Sequence, residues 1–209
     1  LVSLTGHGGL MLWRGLAAVM ALAAVVLEIL WGHGNNQVSP GAWLNGVKES
    51  ADGGGRRSKA QAALIAFIIT MVLIQAGRMN IELDYDSLHY GLRSAYVLDN
   101  GKGIYENLGM INLVYTYSKG LEVLVLPLSG TPTYGFVLAF SLWCTMGILL
   151  LAANIVGRYC GREKGIWAAA VLAAIPGIMN MAATAKSDNI TLLHQLIIYD
   201  FICFALCEG

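Results

Sequence analysis

Five stretches of this chain are apolar over lengths close to the thickness of a bilayer's hydrocarbon core, and nothing else in the sequence restricts the fold so strongly. A helix crossing that core needs about 20 predominantly apolar residues. The stretches are 11–31, with Arg14 and Glu28 near its ends; 60–77; 134–156; 165–184, with Pro176 inside it; and 190–206, which contains His194, Gln195 and Asp200. Backbone polar groups in lipid must be satisfied within their own segment, so each stretch is predicted as a helix. The expected fold is all-α, a polytopic integral membrane helical bundle. Only 12% of residues are charged, against about a quarter in soluble domains, and the mean hydropathy is +0.62. Thirteen basic and thirteen acidic residues cancel, which argues against an electrostatic nucleic-acid binder. Four cysteines set in apolar runs do not make a secreted disulfide framework. With Leu at position 1 and an end directly after an apolar run, the chain reads as a piece of a longer protein.

Loop charges orient the spans. The loop 32–59 carries Lys48, Arg56, Arg57 and Lys59, and the turn 157–164 carries Arg158, Arg162 and Lys164. Five spans put both on one side, and basic excess marks that side as cytoplasmic. Segment 78–133 and the turn 185–189 then face outward. That long segment holds Glu82, Asp84, Asp86, Asp99, Glu106 and Glu122, more acids than bases. The chain thus divides into an N-terminal helix with a cytoplasmic loop, 1–59, and a membrane region, 60–209, whose outer loop 78–133 is the candidate catalytic element. The Gly53-Gly54-Gly55-Arg56-Arg57 run reads as a solvated linker, because the Lys-Ser/Thr ending of a phosphate cradle is missing.

Long, non-repetitive loops on a rigid scaffold are favoured places for function. Residues 86–98 read as an amphipathic helix with Ser87 near its start and Asn100-Gly101 as its stop; 119–128 reads as a second one. Both are expected to lie along the outer membrane surface. Asp84-Tyr85-Asp86 places two carboxylates two residues apart, able to share a divalent cation or to divide the roles of base and orienter. Like charges this close would raise one of the two pKa values. The same outward side supplies His89, Arg93, Lys119, several tyrosines and Lys186-Ser187-Asp188.

The stretch Asp86-Ser87-Leu88-His89-Tyr90-Gly91-Leu92-Arg93-Ser94-Ala95-Tyr96, followed by Tyr115-Thr116-Tyr117-Ser118-Lys119-Gly120, resembles the first outer loop of GT-C membrane glycosyltransferases. It is most similar to the protein O-mannosyltransferase and lipid A aminoarabinose transferase branch. Asp86 falls on that family's catalytic aspartate, Ser87 on a glutamate, Tyr90 on an aromatic position, Asn100-Gly101 on the helix end and Ser118-Lys119-Gly120 on a Lys-Pro-Pro element. Ala185-Lys186-Ser187-Asp188 is similar to an Arg/Lys-x-Asp motif before the next helix. Serine in place of glutamate and the missing Pro-Pro set the chain apart from standard members, and the acid pair here would be Asp84 and Asp86.

The resemblance implies a polyprenyl-phosphate-linked sugar as donor and a lipid, glycan or protein acceptor at the outer leaflet, with membrane lipids around the site. Inverting transfer needs a carboxylate to take the acceptor hydroxyl proton, and Asp86 is the candidate base, with Asp84 orienting it or holding a divalent cation. Arg93, Lys119 and Lys186 are the candidate cations for the departing lipid phosphate, Tyr90 and Asp188 further substrate contacts. Each has a plainer role as well. Arg93 and Lys119 serve as headgroup anchors, the tyrosines as an interfacial belt, His89 as a polar-face residue and Asp188 as a helix cap. Within the spans, Asp200 and His194 are expected to pack against segments outside this chain, Cys203 and Cys207 to be small core residues, and Asn189-Ile190-Thr191 matches a glycosylation acceptor. Two rival readings stand beside the enzyme: a transporter-type or non-catalytic membrane protein, for which Pro176 and Asp200 speak, and a scaffold in which Ser87 marks lost catalysis.

Overall fold

In the computed structural model the described residues are 10–31, 56–79, 81, 84–89, 91–93, 120–128 and 134–207. Among them every regular element is helical. In chain order these are α1 (Leu10–Trp31), α2 (Arg56–Gly77), α3 (Tyr85–His89) with a 3-10 turn at Gly91–Arg93, α4 (Gly120–Val125) with a 3-10 turn at Leu126–Leu128, α5 (Gly135–Cys160), α6 (Arg162–Ala173), α7 (Pro176–Met181) and α8 (Asp188–Cys207). Three helical stretches are long and apolar enough to cross a membrane: Lys59–Gly77, Gly135–Cys160 and Asp188–Cys207. In α1 the run Met11–Leu27 is apolar but shorter.

The expected fourth span, 165–184, is not one helix. Proline has no N–H to give, and its ring crowds the carbonyl four residues earlier, so the residue before it turns extended. Ile175 does so (φ −80, ψ 112), and Pro176 becomes the first residue of the new helix α7. The predicted helix over 86–98 is likewise shorter: α3 starts at Tyr85 and stops at His89, and residues 94–119 lie outside the described ones.

α5 is the scaffold. It returns on itself through Gly161, whose φ of 96 suits a residue without Cβ, into α6, and it packs on its other flank against α8. α2 lies against α6, where Phe67, Ile68, Met71 and Val72 cover a cluster of Leu149, Ala169, Ala173 and Met179. A second cluster, Leu121, Val125, Val137, Leu138 and Ala185, joins α4, the start of α5 and the turn before α8, with Met79 and Leu92 packed on it. The end of α2, the α3–α4 region, the start of α5 and the start of α8 therefore meet at one end of the assembly. The α5–α6 turn lies at the other. α1 joins the first end, where Arg14 Nε donates to the Pro127 carbonyl (3.2 Å).

Candidate functional site

The site assembles where α3 meets the turn 182–187. Asp84 sits just before α3. Its carbonyl accepts the first helical bond, from Leu88 N–H (3.1 Å), and its Oδ2 accepts from Ser87 N–H (3.0 Å). That is the geometry of an N-cap aspartate satisfying an otherwise orphaned amide. The cap leaves Oδ1 directed outward, and Lys186 meets it: Nζ lies 3.0 Å from Asp84 Oδ1 and 3.1 Å from Asp86 Oδ2. One ammonium thus bridges two carboxylates from a stretch about a hundred residues earlier in the chain. Among the described residues the cluster comprises two acids and one base.

The three members are not equivalent. The Lys186 side chain is 18% exposed, that of Asp84 29% and that of Asp86 45%. Burial pushes the Asp84 carboxyl up, but the Ser87 amide and the Lys186 ammonium together outweigh it and hold Asp84 below the usual carboxylate range. Burial also acts to lower Lys186, and the two carboxylates more than reverse it, raising the ammonium above its ordinary value. The expectation that mutual repulsion lifts one acid of the pair is thus corrected for Asp84, because a cation stands between the two.

Ser87 is the pivot of this arrangement. Its side chain is fully buried, its Oγ accepts from Ala185 N–H (2.9 Å), and its hydroxyl donates to Asp84 Oδ2 (3.3 Å). The residue beside Lys186 is therefore pinned to the helix that carries both acids. Gly91 makes the approach closer still: a Cβ there would collide with the Ala185 backbone carbonyl. The turn itself is anchored below. Ser141 Oγ donates to the Thr184 carbonyl, Thr145 Oγ1 to Ser141 O (3.0 Å), and Asn189 Nδ2 to Thr145 Oγ1 (2.6 Å) and Ile178 O (3.3 Å). Ser141, Thr145, Thr184 and Asn189 are all buried, so these bonds satisfy groups that would otherwise be costly.

Of the candidate residues, Asp84, Asp86 and Lys186 come together. Asp188 does not join them: it is exposed as the first residue of α8, and among the described residues no hydrogen bond or ion pair links it to the cluster. Nor does it open the helix as the cap, since the carbonyl taking the Thr191 amide is that of Ser187 (2.9 Å). Arg93 has its backbone in the 3-10 turn after α3, while Tyr90 and Lys119 lie outside the described residues. A divalent cation shared by Asp84 and Asp86 does not fit, because Lys186 Nζ already lies within hydrogen-bond distance of both carboxylates. Among the described residues no three His, Cys, Asp or Glu side chains cluster as metal ligands.

Two features had no counterpart in the sequence reading. Ser87 reads there as a helix start or as a replaced glutamate, and it is instead the buried clasp; a serine three residues after an aspartate was the available signal. Arg78, directly beyond α2, has its Nη1 donating to Gln75 Oε1 (2.7 Å) and Asn180 Oδ1 (3.3 Å). An arginine ending an apolar run was visible, its amide partners were not.

Elsewhere, Asp200 pairs with Arg158 (3.2 Å) within the chain instead of awaiting an outside partner. His194 Nδ1–H donates to the Ile190 carbonyl one turn back (2.8 Å). Cys207 is exposed and Cys203 partly so, which corrects their assignment to a core. Asn189 of the glycosylation-like triplet is 3% exposed with its amide engaged. Comparison with family models, with curated proteins and with solved structures finds no match to this chain.

Proposed function

We propose that this chain carries the acceptor-activating site of a GT-C-type membrane glycosyltransferase, which moves a sugar from a polyprenyl-phosphate donor to a hydroxyl acceptor at the extracytoplasmic face of a bacterial plasma membrane. The observation that carries the reading is the bridge from Lys186 to Asp84 and Asp86, built at the shared end of apolar helices long enough to span a bilayer. Charged groups cost free energy next to lipid and are kept there for a purpose. The opposite end holds Arg158, Arg162 and Lys164, and the start of α2 holds Arg56, Arg57 and Lys59, which supports a cytoplasmic assignment for that side.

The geometry divides the labour between the acids. Asp84 is held in its ionised form and engaged on both oxygens, so it is a poor proton acceptor and serves to fix Lys186. Asp86 is the more exposed, with Oδ2 steadied by Lys186. Its carboxylate takes the acceptor hydroxyl proton while that oxygen forms a bond to the anomeric carbon. The bond from that carbon to the donor phosphate oxygen breaks, the electron pair leaves with the lipid phosphate, and the anomeric configuration inverts. Lys186 has its charge committed to the two acids, so the departing phosphate needs a different cation.

The test is Asp86→Asn in the full-length protein, reconstituted in lipid and assayed with polyprenyl-phosphate-linked sugars by mass spectrometry of the acceptor. Loss of a general base lowers turnover by about 10²–10⁴-fold. Wild-type turnover in that variant, at wild-type expression, overturns the base assignment. One observation favours a transporter-type reading as the second: the interruption between α6 and α7 at Ile175-Pro176, since substrate sites in transporters are built at broken helices. A wild-type protein that moves solute across proteoliposomes and transfers no sugar selects it.

A further inference from the structure

The geometry points to Arg78 as the binding site for the phosphate of a lipid phosphomonoester, with Gln75 and Asn180 as its positioning residues. Arg78 follows immediately after α2, whose apolar run Lys59–Gly77 is long enough to cross a membrane, so it stands where such a run ends and Arg side chains meet headgroup phosphates. Two amide oxygens from two different helices take the same nitrogen, Nη1, and one of the amides, that of Gln75, is only 6% exposed. Such neutral acceptors aim a guanidinium without cancelling its charge. Among the described residues no carboxylate pairs with Arg78, in contrast to Lys186 and Arg158, each held by acids. A guanidinium has five N–H donors, so Nε and Nη2 keep a fork suited to two phosphate oxygens.

Position favours the same ligand. Met79, the next residue, packs on the cluster containing Ala185, which neighbours Lys186. Arg78 and the acid cluster therefore share one end of the assembly. A phosphomonoester head on a lipid tail fits this end of the assembly, with the phosphate on the Arg78 fork. The choice of a prenyl lipid rests on the reading given under Proposed function; the phosphate site does not.

Binding of a fluorescent polyprenyl monophosphate to the full-length protein in phosphatidylcholine nanodiscs tests this without turnover. Arg78→Gln is expected to weaken binding roughly ten- to hundredfold, the range for losing a charge-assisted hydrogen-bonded pair. Arg78→Lys, a point charge without the fork, falls between. Asn180→Ala, on an exposed residue that folding does not need, shows a smaller loss confined to the phosphorylated lipid, and polyprenol binds all variants alike. Because binding is read without turnover, failure of the base assignment and failure of this site are separately visible. The inference is overturned by wild-type affinity in Arg78→Gln, by an equal loss for unphosphorylated polyprenol, or by phosphatidylglycerol competing as well as the monophosphate, which would make Arg78 a general headgroup anchor.

Discussion

The two ends of the α5–α8 pair each hold ion-paired side chains, and they differ in how the acids and bases are matched. Toward the α5–α6 turn, Arg158 of α5 faces Asp200 of α8 at 3.2 Å: one base, one acid, no charge left over. At the other end Lys186 faces two acids, Asp84 and Asp86, among the described residues. The first pair joins two helices that already pack along their length. The second joins segments about a hundred residues apart through a buried serine, a close backbone approach and a capped helix turn. A balanced pair is what helix packing in or near lipid calls for. Two acids held together on one ammonium by long-range contacts are the arrangement on which the proposed proton acceptance rests.

The comparison is broken most severely by removing the close approach. Gly91→Ala pushes a Cβ into the Ala185 carbonyl, backbone against backbone, where no side chain can swing aside. We expect destabilisation of about 3 kcal/mol, the upper part of the usual overpacking range, and separation of α3 from the turn. Thermal unfolding in detergent, with acylation of the released Lys186 as a second readout, checks it. A variant as stable as the wild type, with Lys186 still protected, shows that the docking does not depend on this contact.

Next in size is Lys186→Met, which keeps the length of the side chain and removes its charge. Asp84 and Asp86 then repel across a short gap, and about 2 kcal/mol of charge-assisted hydrogen bonding is lost. The wild-type pH dependence follows from the two shifts. Asp84 is depressed, so its contribution is present above its unfolded value of 3.8 and is lost as pH falls through the lower folded one. Lys186 is raised, so its contribution is present below 10.5 and is lost as pH rises through the higher folded one. Docking of α3 on the turn is therefore expected to hold across the interval between these values. In Lys186→Met the acid limb moves to higher pH. An acid limb that stays in place means that the cation does not hold Asp84 ionised.

How much of this was legible in the sequence depended on range. Apolar run length announces a helix by itself, so α2, α5 and α8 were readable, and Asp84, Asp86 and Lys186 stood out as outward charges. Pro176 announced its own effect, yet the run 165–184 was read through it as one span; the lost N–H and the ring clash prevailed over the apolar pattern. The helix over 86–98 was over-extended for a different reason. The amphipathic pattern was read through Gly91, whose close approach to Ala185, far along the chain, the pattern does not show. The same kind of distance concealed the role of Ser87 and the partners of Arg78. What a residue needs from its own turn can be read locally; what it needs from a residue a hundred positions away cannot.

The smallest effect is expected at the Arg158–Asp200 pair, and it sharpens the comparison because it should be nearly silent. Asp200→Asn removes the acid but leaves an amide oxygen able to accept from Arg158 Nη1, and the pair is partly exposed, at 27% and 22%. Exposed pairs contribute about 0–1 kcal/mol, so a shift at the low end of measurable unfolding is expected. Arg158 also lies over the Tyr159 ring, 6.0 Å from its centre, which gives the guanidinium a second resting place. Transfer activity should be unchanged, since the reacting groups are at the other end of α8. A loss of activity in Asp200→Asn comparable to that of Asp86→Asn would mean that the charge near the α5–α6 turn takes part in moving a proton or a solute, and the division between a supporting end and a reacting end would have to be redrawn in favour of a path along the bundle.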